Sequence, residues 1–385
     1  MTIYLDHAAT TPINEAALAA LNEQIKKLGN ASSVHNQGRS VRKDVEDARH
    51  KLAELVGSVP SEIIFTGSGT EANNLAIKGF FWQSGKKIIV TSSFEHHAVL
   101  DPIEWLVEHQ NAEAIYIPVK SDGYLDLDFL RDVVANRGSE IAVISLMHSN
   151  NELGSIQPIK EVVEIAGAIP VHTDAVQSFG KVGFNFDELG ISAATISAHK
   201  IGGPLGVAAL VLKHGIDLAP ILHGGGQERE IRSGTLNAPG IVAFAKAAEL
   251  AIINREPNFK KIRELRDQLI KGLKSAVADI VINSPLDPAL PGVVNVSIPE
   301  TESDALLLLL DTEGISASAG SACSAGVPRP SHVLIAMGVS EELADASLRI
   351  SIGASNTSTE IEQVIAVMPS VVERARNAFA VGKLS

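Results

Sequence analysis

Residues 191–200 read Ile191-Ser192-Ala193-Ala194-Thr195-Ile196-Ser197-Ala198-His199-Lys200, and the turn Gly202-Gly203-Pro204 follows. A short apolar run bounded by such punctuation predicts a buried strand. Its exit carries a hydroxyl, an imidazole and an amine within four residues. Burial disfavours an ammonium, so a lysine held there loses proton affinity. A neutral amine is what condensation with a carbonyl requires. The ordinary alternative is a lysine that snorkels from a loop into solvent.

Outward from this stretch, strand and helix patterns alternate. Short apolar runs occur at 63–65, 88–90, 115–117, 141–146, 171, 194–196 and 207–212. Helical patterns lie between many of them, and Val41, Val45, Ala48, Leu52 and Leu55 mark one amphipathic helix. The rhythm predicts an α/β fold with a mostly parallel sheet covered by helices on both faces. Ligands on such sheets sit at the carboxyl ends of the strands. Near Asn254-Arg255-Glu256-Pro257 the pattern changes. A charged helix is expected over 258–277, strands over 293–298 and 348–352, and helices over 303–312 and 359–379. These read as a smaller α+β domain. Residues 316–330, rich in Ser, Ala, Gly and Pro, read as a mobile loop.

Composition bounds the function. The 385-residue chain is 45% hydrophobic and 20% charged, as globular proteins are. Its formal charge of −13 argues against broad binding to nucleic acid. No apolar run approaches the ~20 residues that span a bilayer, so no membrane association is expected, and Met1 to Asp6 have no secretory signal pattern. Cys323 is the only cysteine. It excludes an intramolecular disulfide and a multi-cysteine zinc site, and it fits a reducing, cytoplasmic setting.

Six further segments carry polar chemistry. Thr66-Gly67-Ser68-Gly69-Thr70-Glu71 follows a strand and opens a helix, where backbone amides suit a phosphate; a capped glycine turn is the plain reading. In Glu95-His96-His97, one imidazole stacked on a flat cofactor with the other capping a helix is preferred over metal binding, and no metal site is expected. A structural histidine is the remaining alternative. Asn150 and Asn151 are turn formers that equally suit a ring substituent. Asp174 ends a strand, where a pyridinium N–H would pair its carboxylate; a helix cap is the alternative. The glycines from Gly224 to Gly226, followed by Arg232-Ser233-Gly234-Thr235, form a loop beside donors. Arg349 lies in a strand and suits a carboxylate if it faces a cleft.

Together these segments resemble the cysteine desulfurases, pyridoxal-phosphate enzymes of the class V aminotransferase group, in their long-loop type. The matching pieces also include Tyr4-Leu5-Asp6-His7-Ala8-Ala9-Thr10-Thr11, Gly29-Asn30-Ala31-Ser32-Ser33-Val34-His35 and Gly320-Ser321-Ala322-Cys323, in family order. The resemblance implies a large domain, 13–255, with a seven-stranded sheet that binds pyridoxal 5'-phosphate. Residues 1–12 and 256–385 would form the small domain, with the cysteine on a loop at about 316–330. It implies that Lys200 holds the cofactor's aldehyde and later carries the Cα proton. Asp174 faces the pyridine nitrogen, Gln177 the ring hydroxyl, and Asn151 also touches the cofactor. His96 stacks on the ring and acts as acid and base. Gly69, Thr70, Ser197 and His199 hold the phosphate, with Thr235 supplied by the other subunit of a homodimer. Arg349, with Asn30 nearby, binds the carboxylate of L-cysteine. Cys323 takes the substrate sulfur as a persulfide, L-alanine leaves, and a sulfur-acceptor protein in iron–sulfur assembly or thiolation receives the sulfur. A selenocysteine lyase, another class V reaction and a non-catalytic sulfur relay are the alternatives. The chain departs from the family pattern at Leu205, where many members have lysine, and at Glu230, where glycine is common.

Overall fold

The computed structural model describes residues 2–320 and 330–382. Seven strands form its main sheet. Their spatial order is Ile63–Thr66, Ala208–Leu212, Ala193–Ser197, Val171–Asp174, Ile141–Ser145, Ile88–Ser92 and Glu113–Ile117. Ala208–Leu212 runs antiparallel to both its neighbours, and every other pairing is parallel. The expected α/β class with a mostly parallel seven-stranded sheet is what forms.

The central strands are buried along their whole length, as expected of a sheet covered on both faces. One apolar cluster packs under Asn36–Val56 and Ala238–Ile253 and includes Val45, Leu52, Ile144 and Phe244. Another covers the opposite face, with Leu75, Ile89, Val99 and Leu210 from the sheet and from Gly69–Ser84 and His97–Gln110.

A separate cluster unites Leu265, Val294, Leu348 and Val371 with Leu5 from the beginning of the chain. It sits between a three-stranded antiparallel sheet (Val281–Ile282, Val293–Ser297, Ser347–Ser351) and the helices Arg255–Ala276, Ser303–Thr312 and Ser358–Gly382. Ile3–Tyr4 joins it by pairing in parallel with Ile315–Ser316.

Two sequence expectations need correction. The charged helix begins at Arg255, not near residue 258. Pro257 occupies its first turn, where a missing N–H costs nothing. The stretch from 316 does not open as loop, because Ser316 is in a strand and Ser318 exchanges backbone hydrogen bonds with Arg349. Composition gives no sign of such backbone pairing. Glu230 has φ of +62°, the left-handed region glycine occupies without steric cost, which accounts for the glycine common at that position in the resembled family.

Candidate active site

Five parallel-running strands deliver their exits to one cavity of about 230 Å³. Ser68, Gly69 and Thr70 come after Ile63–Thr66, His96 after Ile88–Ser92, and Ser149 and Asn151 after Ile141–Ser145. Asp174 and Gln177 end and follow Val171–Asp174, and Ser197, His199 and Lys200 end and follow Ala193–Ser197. Side chains scattered over more than 130 positions meet because a parallel sheet puts all its carboxyl ends on one edge. A larger cavity of about 420 Å³ lies on the other side of Lys200, lined mainly by apolar groups around Ile201, Phe259 and Ile352. The smaller one gathers His96, Asp174, His199 and Lys200 at the strand exits and is the candidate site.

Asp174 lines this cavity. Its Oδ2 accepts from Asn73 Nδ2 at 2.7 Å and its Oδ1 from the Val176 N–H at 2.9 Å, so the carboxylate orients a local turn rather than capping a helix. Asn73 was not a sequence candidate. It stands one helical turn after Gly69, and only the tertiary fold brings it to a residue 101 positions away. His96 combines two roles expected of two residues. It is the N-cap of His97–Gln110, its Nδ1 accepting from the Ala98 N–H at 2.9 Å, and it also lines the cavity. His97 instead points away to Asp101. Burial lowers the His96 pKa, which favours a neutral imidazole. The two amides separate likewise: Asn150 is consumed by its turn through Phe94, Glu152 and Leu153, while Asn151 lines the cavity.

Lys200 ends a short 3-10 turn, Ala198–Lys200. Its Nζ donates to the carbonyls of Ala8 and Ala9, each at 2.6 Å. Gln177 Nε2 donates to the same Ala8 carbonyl at 2.9 Å, and Lys181 Nζ donates to Gln177 Oε1 at 3.2 Å. Thr10 Oγ1 lies 3.2 Å from His199 Nδ1. The beginning of the chain is thus a strap over this lysine edge. Burial, then Lys200 and Lys181, lower the His199 pKa to about 4, so its ring is neutral.

The residues present fit pyridoxal phosphate. The N–H groups of Gly69 and Thr70 open Gly69–Ser84, where no preceding helical turn accepts from them, and the Ser197 hydroxyl and His199 stand beside them. A Cβ at Gly69 would approach Val176 Cγ2 to 3.1 Å, so the backbone comes close to the cavity wall only because the residue is glycine. A carboxylate oriented by neutral donors suits a cationic ring nitrogen, and the lysine suits an aldehyde. Among the described residues no cluster suited to a metal ion occurs.

Other candidates lie elsewhere. Thr235 is exposed and does not line this cavity. Asn30 is exposed on a loop, its Oδ1 accepting from the Ser32 N–H. Arg349 is buried beside Asp6 and Asn151 but is not on the cavity wall. Arg232 is paired with Glu71 at 2.7 Å. Cys323 lies outside the described residues. The chain on either side of it converges on Glu152: Ser331 Oγ donates to Glu152 Oε2 at 2.5 Å, and a Cβ at Gly320 would stand 2.1 Å from that oxygen.

Comparison with known proteins gives the family. Residues 3–364 match the family model described as aminotransferase class-V. The chain is 44% identical to an IscS-like cysteine desulfurase of Mycobacterium tuberculosis, covering 97% of each chain. It is 42% identical to cysteine desulfurase IscS of Dictyoglomus turgidum, covering 97% of this chain and 95% of the relative. Among solved structures, a NifS-like protein superposes with a TM-score of 0.90 at 35% identity, covering 97% of this chain and 100% of that one. SspA in complex with cysteine superposes at 0.81 with 32% identity, covering 92% and 100%. The chain therefore belongs to the class V aminotransferase family, among its cysteine desulfurases.

Proposed function

We propose that this enzyme converts L-cysteine to L-alanine and stores the sulfur as a persulfide on Cys323. The observation that carries the reading is the joint placement of Lys200, Asp174 and neutral His96 around one cavity at the carboxyl edge of the sheet. Pyridoxal phosphate, when bound, supplies the electron sink that acidifies the substrate's Cα–H. Lys200 tethers the cofactor and, once released, takes the Cα proton. Asp174, oriented by Asn73, balances the ring nitrogen's charge. Gln177 and Asn151 hold ring substituents. Gly69, Thr70, Ser197 and His199 hold the phosphate, which Thr235 of a second copy reaches in a homodimer. A neutral imidazole at His96 is ready to accept a proton near the transferring sulfur. Arg349, with Asn30, binds the substrate carboxylate. The Cys323 thiolate then attacks the substrate sulfur: an S–S bond forms, the C–S bond breaks, and a proton completes the methyl group of alanine. Cysteine plus enzyme thiol gives alanine plus enzyme persulfide.

We also infer a large domain over 13–255 and a small one from 1–12 with 256–385, supported by the distinct apolar cluster that joins Leu5 to Leu265, Val294 and Leu348, while Val333, Leu334, Met337 and Ala344 pack into the core of the large domain. An acceptor protein, in iron–sulfur assembly or thiolation, takes the sulfur. The single cysteine supports a cytoplasmic, reducing location. The test is to incubate purified holoenzyme with L-cysteine, measure alanine, and weigh the protein for a gain of one sulfur on Cys323. Cys323→Ala is expected to bind the cofactor but to release no sulfide. Full turnover by that variant would rule the reading out.

A further inference from the structure

The guanidinium assigned to the substrate already holds a carboxylate of its own chain. Arg349 Nη2 donates to Asp6 Oδ1 at 2.9 Å, with side chains 5% and 19% exposed respectively. Nη1 reaches the Asn151 carbonyl at 3.4 Å, and the buried Nε has no hydrogen-bond partner among the described residues. Either bidentate edge of a guanidinium uses Nη2 together with Nε or Nη1. A second carboxylate recognised at two points must therefore share Nη2 with Asp6 or displace it, against the repulsion of two like charges at one cation.

The surroundings favour an anion at this place. Cations lie close by: Lys181 interacts with both Arg349 and Lys200, and its amine, depressed first by burial, falls to about 7. A buried arginine needs a counter-charge, and Asp6 supplies it in the free protein. Asp6 is well placed to give way. It belongs to the strap that carries Ala8 and Ala9, and the Tyr4 hydroxyl donates to its backbone carbonyl at 3.1 Å, so the side chain can turn while the backbone stays.

We propose that Asp6 is an internal stand-in for the substrate carboxylate, occupying Arg349 until the carboxylate of an α-amino acid takes its place. The inference rests on Arg349 as the substrate's carboxylate site. Asp6 then sets affinity by competition: it holds Arg349 oriented, and it raises the amino-acid concentration needed to fill the site.

The test compares wild-type holoenzyme with Asp6→Asn by two measurements. One is half-saturation of the bound cofactor's absorbance change on titration with L-alanine. The other is KM and kcat for alanine formation from L-cysteine. Removing one of two competing carboxylates is expected to lower both half-saturation and KM by roughly three- to tenfold, with a smaller change in kcat. Asp6→Glu, which keeps the charge, is expected to lie closer to wild type. Asp6→Ser gives the same comparison if the asparagine variant does not fold. Unchanged or raised half-saturation in a folded, cofactor-loaded variant overturns the role of Asp6 alone. A wild type that forms no alanine overturns the functional reading and this inference with it.

Discussion

Asn73 shows what a single residue adds to a site. It lines the cavity, and its amide is one of two donors that orient Asp174. Asn73→Ala leaves the carboxylate with the Val176 N–H alone. The lost bond, about 1–1.5 kcal/mol, is expected to weaken cofactor binding about tenfold. Equilibrium dialysis of pyridoxal phosphate against the variant checks this, and an unchanged dissociation constant would show that Asn73 does not orient Asp174. Lys200 and Asp174 were legible in the sequence as residues at strand exits, where chemistry gathers, while their roles came from the family resemblance. Asn73 was not, because its helical position has no local signal. The dual use of His96 was equally hidden, since two adjacent histidines give no hint which one turns inward.

At the scale of elements, the loop after the sheet's edge depends on one buried ion pair. Arg49, from Asn36–Val56, makes a two-point contact with Glu228 at 2.7 and 2.8 Å, and Glu228 also accepts from the Phe65 N–H of the edge strand. Glu228→Ala leaves the Phe65 N–H unpaired and the Arg49 guanidinium with only half-exposed Glu46 and the Ile63 carbonyl, a loss on the order of 3 kcal/mol. Urea unfolding of the variant measures it; a change below about 1 kcal/mol would mean that solvent replaces the carboxylate at no cost. Runs of branched aliphatic residues marked most strands and the helix at 303–312 in advance. The two-residue pairing of Ile3–Tyr4 with Ile315–Ser316 was beyond reach, because it depends on backbone groups brought together across more than 300 positions.

For the whole molecule, buried histidines set the acid limit of stability. Burial lowers His172 to about 3 and His148 to about 4. The unfolded value is near 6.5, so between these limits the unfolded chain binds more protons. Stability is complete above about pH 6.5 and falls as the pH drops toward 4, by up to about 1.4 kcal/mol per pH unit for each histidine. Urea unfolding from pH 7.5 to 4.5 is expected to show a midpoint that declines below pH 6.5; a flat profile across that range would contradict the buried, neutral assignment.

The strap that steadies Lys200 also has a place in time. Its residues Asp6, Ala8 and Ala9 are synthesised long before Arg349 and Ser351, which fasten Asp6 and Ala8. Chains generally acquire structure from the N-terminal side during synthesis. The strands of the main sheet are all in place by residue 212, more than 130 residues before those fasteners are made. The nascent chain therefore assembles most of the cradle for its cofactor well before the strap over it can be fastened.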